Sequence, residues 1–162
     1  DRSKGMINAH EKIFINKYRY TEPIPQLQWT MARGDSTILG YPCHKATTRF
    51  RGRDYIAWYT EEIPFPYGPF KFGGLPGLIT CIYDTKREHI YTLVGFEKAP
   101  LEDYIYENVR RGWFETTREV LAKQQKYFHE QPNLFTPDIL TPDPRNKAIK
   151  RKPRPYNPIE LE

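Results

Sequence analysis

Serine is nearly missing: Ser3 and Ser36 are the only two in 162 residues. A Ser-rich flexible linker is thereby excluded, and neither Ser sits in the nucleophile elbow a serine hydrolase needs. Thiols are as scarce, with Cys43 and Cys81 alone. No apolar run approaches the roughly 18 residues of a membrane-spanning helix. The chain opens without Met and without a signal-like apolar stretch, so it reads as a mature product or a fragment. The four His (His10, His44, His89, His129) are scattered, with none at the i, i+4 spacing of a helical zinc site. The sequence therefore nominates no metal, no cofactor and no catalytic residue.

Aromatics are abundant instead. Twelve Tyr, nine Phe and three Trp make 15% of the chain, and such side chains suit pleated, half-buried sheet faces. A chain near this length buries roughly 70% of its unfolded surface, enough for a core without metal or many disulfides. The net charge is +5, but much of the excess lies at the end. Arg145, Lys147, Lys150, Arg151, Lys152 and Arg154 face only Asp143, Glu160 and Glu162 there. A nucleic-acid binder gathers basic residues and aromatics on one folded face, so this Pro-rich basic tail argues against nucleic acid as partner. Binding of the tail to a polyanion or a membrane surface would show as strong salt dependence.

Along the chain, residues 1–11 are polar and read as a loose lead-in, and Ile13 to Tyr20 as a strand stopped by Pro23 and Pro25. Leu27 to Ala32 and Thr37 to Leu39 flank Arg33-Gly34-Asp35-Ser36, which reads as a hairpin loop. That would place an integrin-type Arg-Gly-Asp tripeptide at a loop tip, although Gly-Asp is a turn pair in its own right. Tyr41 to Phe50 and Asp54 to Glu61 form the clearest hairpin, around Arg51-Gly52-Arg53. With Gly52 at its centre, Ala46 would oppose Trp58 and Thr48 would oppose Ile56. The run Tyr55 to Tyr59 is apolar on both faces, as a strand covered on two sides would be.

Four Pro and four Gly fall within residues 62–77, which excludes helix and ordinary central strand. Leu78 to Tyr83 and His89 to Phe96 read as a further hairpin. Thr116 and Glu119 form a capping box opening a helix over about 116–131, with Val120, Leu121, Tyr127 and Phe128 apolar and Pro132 ending it. From Pro132 onward there are seven of the fifteen Pro and no Gly. The resulting expectation is a mainly β fold, an antiparallel sandwich or open barrel of hairpins with one C-terminal helix. Residues 1–131 form a single domain and 132–162 an extended Pro-rich tail.

Gly74-Leu75-Pro76-Gly77-Leu78-Ile79 resembles the signature of the GLPGLI family of exported Gram-negative proteins. Leu39-Gly40-Tyr41-x-Cys43-x-Lys45-Ala46, Phe50-Arg51-Gly52-Arg53, Ala57-Trp58-Tyr59, Ile63-Pro64 with Gly68-Pro69, and the closing Tyr156 to Glu162 fit the same pattern. The likeness is strong over roughly residues 12–100 and looser beyond. It implies export to the periplasm, outer membrane or exterior, and no established activity.

Several constellations invite chemistry. Cys43 and Cys81 in an oxidising compartment would close a loop worth about 4 kcal/mol in the chain-entropy model; two separately buried thiols are the alternative. Cys43 and His44 are neighbours on a strand and point apart, so a cysteine hydrolase would need His89 or His129 to approach. Glu61 and Glu62 face apart as well, against the paired carboxylates of a glycosidase. Phe72-Gly73-Gly74-Leu75 lacks the Lys-Ser/Thr and the helix of a phosphate loop.

The segment Pro64 to Gly77 is the best candidate site, presenting Phe65, Tyr67, Phe70 and Phe72 on a Pro-stiffened backbone. Rigidly held aromatics lose little entropy on binding; folded back, the same rings would cap the core. Pro76-Gly77 has the pattern of a type II turn, with positive φ at Gly77. The leading expectation is a binding domain for another protein or the cell envelope. A hydrolase of peptide or glycan is the rival.

Overall fold

The structure, a computed structural model, describes residues 5–100, 112–135 and 152–161. In chain order the elements are β1 (Met6–Ile13), β2 (Asn16–Pro23), β3 (Thr30–Ile38), β4 (Tyr41–Phe50), β5 (Arg53–Thr60), β6 (Leu78–Asp84), β7 (Ile90–Thr92), β8 (Trp113–Glu115) and α1 (Arg118–Glu130). A short 3-10 helix, Pro132–Phe135, follows. The fold is mostly β, with two sheets, one α-helix and no closed barrel among the described residues. Two compact units emerge, Asp1–Ile24 with Tyr106–Asn157, and Pro25–Ile105 with Pro158–Glu162. Residues 136–151 of the expected tail lie outside the described residues.

The larger unit is a five-stranded antiparallel sheet in the order β3-β4-β5-β6-β7. Tight turns join its first three strands. Leu39-Gly40 and Arg51-Gly52 have positive φ at both residues, the type I′ geometry whose twist matches that of paired strands. The β4–β5 loop thus has two residues, and Phe50 pairs with Arg53. Ala46 therefore opposes Ala57 and Thr48 opposes Tyr55. The expected pairing with Trp58 and Ile56 is one residue out, and a one-residue slip exchanges the faces. Ala46, Phe50, Tyr55, Ala57 and Tyr59 join Phe72, Leu75, Ile79 and Ile82 in the core. Ile56 and Trp58 lie half-buried on the opposite face, so β5 is not fully covered on both sides as expected. Lys45 stands over the Trp58 ring.

Arg33-Gly34-Asp35 is not a hairpin tip. Residues 30–38 form one strand against β4, with the register shifting between Ala32 and Asp35. A bulge of this kind absorbs extra residues without reversing the chain, and Asp35 meets His44 at 3.2 Å.

In the smaller unit β1 and β2 form an antiparallel hairpin, and β8 runs parallel to β2. The expected loose lead-in is strand β1, and Phe14-Ile15 is its turn, with Phe14 at φ 55. No Gly, Asn or Asp occupies those two positions, so the usual turn signal is missing. Ile13, Tyr20 and Leu121 form the core, with Ala9, Tyr18 and Phe128 against it. Helix α1 is capped by Thr117, whose hydroxyl accepts from the Val120 N–H, one residue later than expected. Val120 and Tyr127 are exposed. Lys152 to Asn157 continue without regular structure; there Arg154 N–H donates to the His129 carbonyl and the Tyr156 hydroxyl to that of Ala122.

Candidate functional site

The Pro/Gly segment is pinned by its own backbone. Phe65 and Tyr67 N–H donate to the Ile63 and Phe65 carbonyls, Gly74 N–H to Pro66, Leu78 N–H to Ile63 and Ile79 N–H to Tyr67. Trp29 Nε1 donates to the Gly73 carbonyl at 2.9 Å. Phe65 and Tyr67 stay 49% and 42% exposed, their rings parallel within 7° at 6.5 Å. Phe96 lies 6.4 Å from Phe65 and is itself exposed. Phe70, exposed and at positive φ, carries Lys71 Nζ over its ring.

Phe72 corrects the expected set of four. It is 3% exposed and packs on Phe50 at 5.5 Å and Tyr55 at 4.7 Å, so it belongs to the core. Within Gly74 to Ile79, Leu75 and Ile79 are buried, Leu78 is half-buried and Pro76 exposed. Gly77 does not have the expected positive φ; Gly74 does, at 89°. The requirement at Gly77 is space, because a Cβ there would collide with the Thr60 carbonyl.

Cys43 and Cys81 are free thiols. They sit on β4 and β6, with β5 between. Strands two places apart lie about 9.5 Å from each other, more than the Cα separation a disulfide spans. Cys43 Sγ contacts the Tyr41 carbonyl and the Thr80 hydroxyl, and Cys81 Sγ the Thr92 hydroxyl. Glu61 and Glu62 are both exposed. No group of three His, Cys, Asp or Glu able to hold a metal occurs among the described residues, and no helix among them is long and apolar enough to cross a membrane.

Sequence reasoning passed over a cluster of buried charge in the same unit. Arg53 is 5% exposed in its side chain and bonds Asp84 at 3.1 Å and Glu88 at 2.6 Å. Its Nε and Nη2 both donate to the Pro158 carbonyl, at 3.1 and 2.8 Å. The Tyr55 hydroxyl donates to the Ile159 carbonyl at 3.0 Å. Lys71, 4% exposed in its side chain, meets Glu160 at 2.7 Å, and Arg51 reaches the same carboxylate oxygen at 3.3 Å. The Leu161 N–H closes the set on the Arg51 carbonyl. Burial works to raise the Asp84 carboxyl, but the N–H groups of His89 and Glu88 and the Arg53 charge outweigh it and hold it below its usual range. Burial also pushes the Tyr55 phenol up to about 12. A clue was available: Arg51 and Arg53 flank the hairpin glycine, and Tyr156 to Glu162 stood out in the tail.

A family model described as a protein of unknown function (Porph_ging) matches residues 50–80. That stretch runs from the end of β4 through β5 and the aromatic segment into β6. No curated protein matches the chain. Two solved structures of PNGF-II, in space groups P21 and C2, align over 76% of this chain at 13% and 15% identity, each with a TM-score of 0.49. This chain spans 23% of the length of those chains.

Proposed function

We propose that the chain is a non-enzymatic binding module of an exported protein, anchored on its partner by Phe65 and Tyr67. The carrying observation is the exposed, parallel pair of rings on a backbone held by Pro and by hydrogen bonds. Rings carried on a backbone already held in place lose little entropy when a partner covers them, and Tyr is among the residues that most often dominate binding energy. Phe96 beside Phe65 extends the apolar area. The partner is another protein or a component of the cell envelope. Export rests on the GLPGLI-like motifs, Gly74 to Ile79 foremost.

Two experiments test this reading. Immobilised chain and its Phe65→Ala/Tyr67→Ala variant are challenged with detergent-solubilised envelope, and the retained material is compared. Retention lost in the variant, with the melting curve unchanged, supports the anchor; equal retention refutes it. Fractionation of cells producing the natural full-length gene product tests export, and confinement to the cytoplasm would defeat it.

A further inference from the structure

The segment Pro158 to Leu161 is held in the way a protein holds a peptide ligand. Two successive carbonyls, Pro158 and Ile159, are read by Arg53 and Tyr55; the Glu160 carboxylate is read by Lys71 and Arg51; and the Leu161 N–H is read by a backbone carbonyl. Ile159 packs against the core cluster of the sheet. Hydrogen bonds to a segment's main chain, with side-chain contacts that select it, are one recognised basis of peptide capture, and here the segment bends at Ile159. The receiving residues come from β4–β7 and the loops between them, while the captured segment is separated from them by Tyr106–Asn157 of the other unit.

Charge points to the same conclusion. On the receiving side Arg53 pairs with Asp84 and Glu88, while Arg51 and Lys71 both meet the carboxylate that Glu160 brings. A buried cation is costly unless paired and hydrogen-bonded, so the nearly buried Lys71 favours an occupant that carries an acid at this point. We propose that this face of the five-stranded sheet is a recognition site for a peptide of Pro-Ile-Glu-Leu type, and that the chain's own end is its resident ligand. The site shares Lys71 with the Pro64 to Gly77 segment but uses neither Phe65 nor Tyr67.

A synthetic peptide of residues 152–162 titrated calorimetrically into the full chain tests it. The chain carrying Glu160→Lys, whose own segment is weakened, should bind the unmodified peptide saturably at one site. A peptide with Glu160→Lys should bind that chain about tenfold or more weakly. The unmodified chain should bind only at about millimolar peptide, because its tethered segment competes at that effective concentration. Lys71→Glu in the Glu160→Lys chain should reverse the preference towards the Glu160→Lys peptide. Should Glu160→Lys fail to melt cooperatively, Glu160→Gln serves in its place, and the unmodified chain at millimolar peptide needs no substitution. Absence of saturable binding in that last titration, or affinity indifferent to the charge at position 160, overturns the proposal.

Discussion

A Cβ on Gly77 would run into the carbonyl of Thr60 and crowd Glu61, because the chain enters β6 pressed against the end of β5. Backbone cannot yield as a flexible side chain does, so Gly77→Ala should cost about 3 kcal/mol, at the upper end of overpacking effects. Gly74 is restricted differently: its φ of 89° is hostile to a side chain, but the nearest atom, Trp29 Nε1, is 3.9 Å from the would-be Cβ. Gly74→Ala should therefore cost only about 1 kcal/mol. Urea midpoints of the two variants check the order, and the reverse order would contradict the steric account. The residue types at Pro76-Gly77 suggested a type II turn, which the φ of Gly77 contradicts. The reason Gly77 must be Gly was not readable, since Thr60 lies 17 positions earlier and only strand pairing brings its carbonyl close.

Helix α1 separates two neighbouring threonines. Thr117 caps the Val120 N–H, and the Thr116 hydroxyl turns to the Thr117 carbonyl. Thr117→Ala should lower stability by about 1 kcal/mol, and Thr116→Ala by clearly less; thermal melts of both variants read the difference. The capping signal in the sequence pointed to the right turn of chain and the wrong residue, as boundary assignments tend to. The same limit governs the β4–β5 hairpin. Arg51-Gly52-Arg53 announces a turn, but a two- or three-residue loop decides which side of β5 faces the core. Ala46 and Ala57 are both fully buried and opposite one another. Ala57→Leu should thus overpack and cost about 1–3 kcal/mol, whereas Ile56→Leu on the half-buried face should stay below about 1 kcal/mol. Denaturation midpoints that reversed this pattern would restore the other register.

At the scale of the molecule, pH reports on the buried cluster. Tyr55 is buried and its phenol is raised to about 12, first by burial. The neutral form is favoured in the fold, so the associated stability is whole below pH 10 and lost as pH rises from about 10 to 12. The loss should be on the order of 2 kcal/mol. Tyr59 and Tyr91 are also raised by burial and act in the same direction. Asp84 acts at the other end. Its carboxyl is held low, so its stabilisation is present above the ordinary carboxylate range and fades as pH falls through its depressed value. Urea midpoints across pH should show both limbs, with Tyr55→Phe flattening the alkaline limb and Asp84→Asn the acid one. Unchanged limbs in those variants would remove the two groups from the account.

By itself the sequence determined the class of the protein. Aromatic-rich alternating segments between Gly-bearing turns lead to sheets, and the Thr-initiated, Pro-terminated run leads to one helix, because both signals are local and repeat with the period of the element. It also marked residues 62–77 as something other than regular structure. Tertiary structure alone decided which aromatics are displayed. Phe72 and Tyr67 have similar neighbours in the chain, yet one packs on Phe50 and Tyr55 while the other faces solvent. It alone decided that Cys43 and Cys81 stand apart, with β5 between them. And it alone brought Arg53 to Pro158, across 105 positions. No local pattern encodes such a meeting, because burial of a charge depends on partners that only the folded chain supplies.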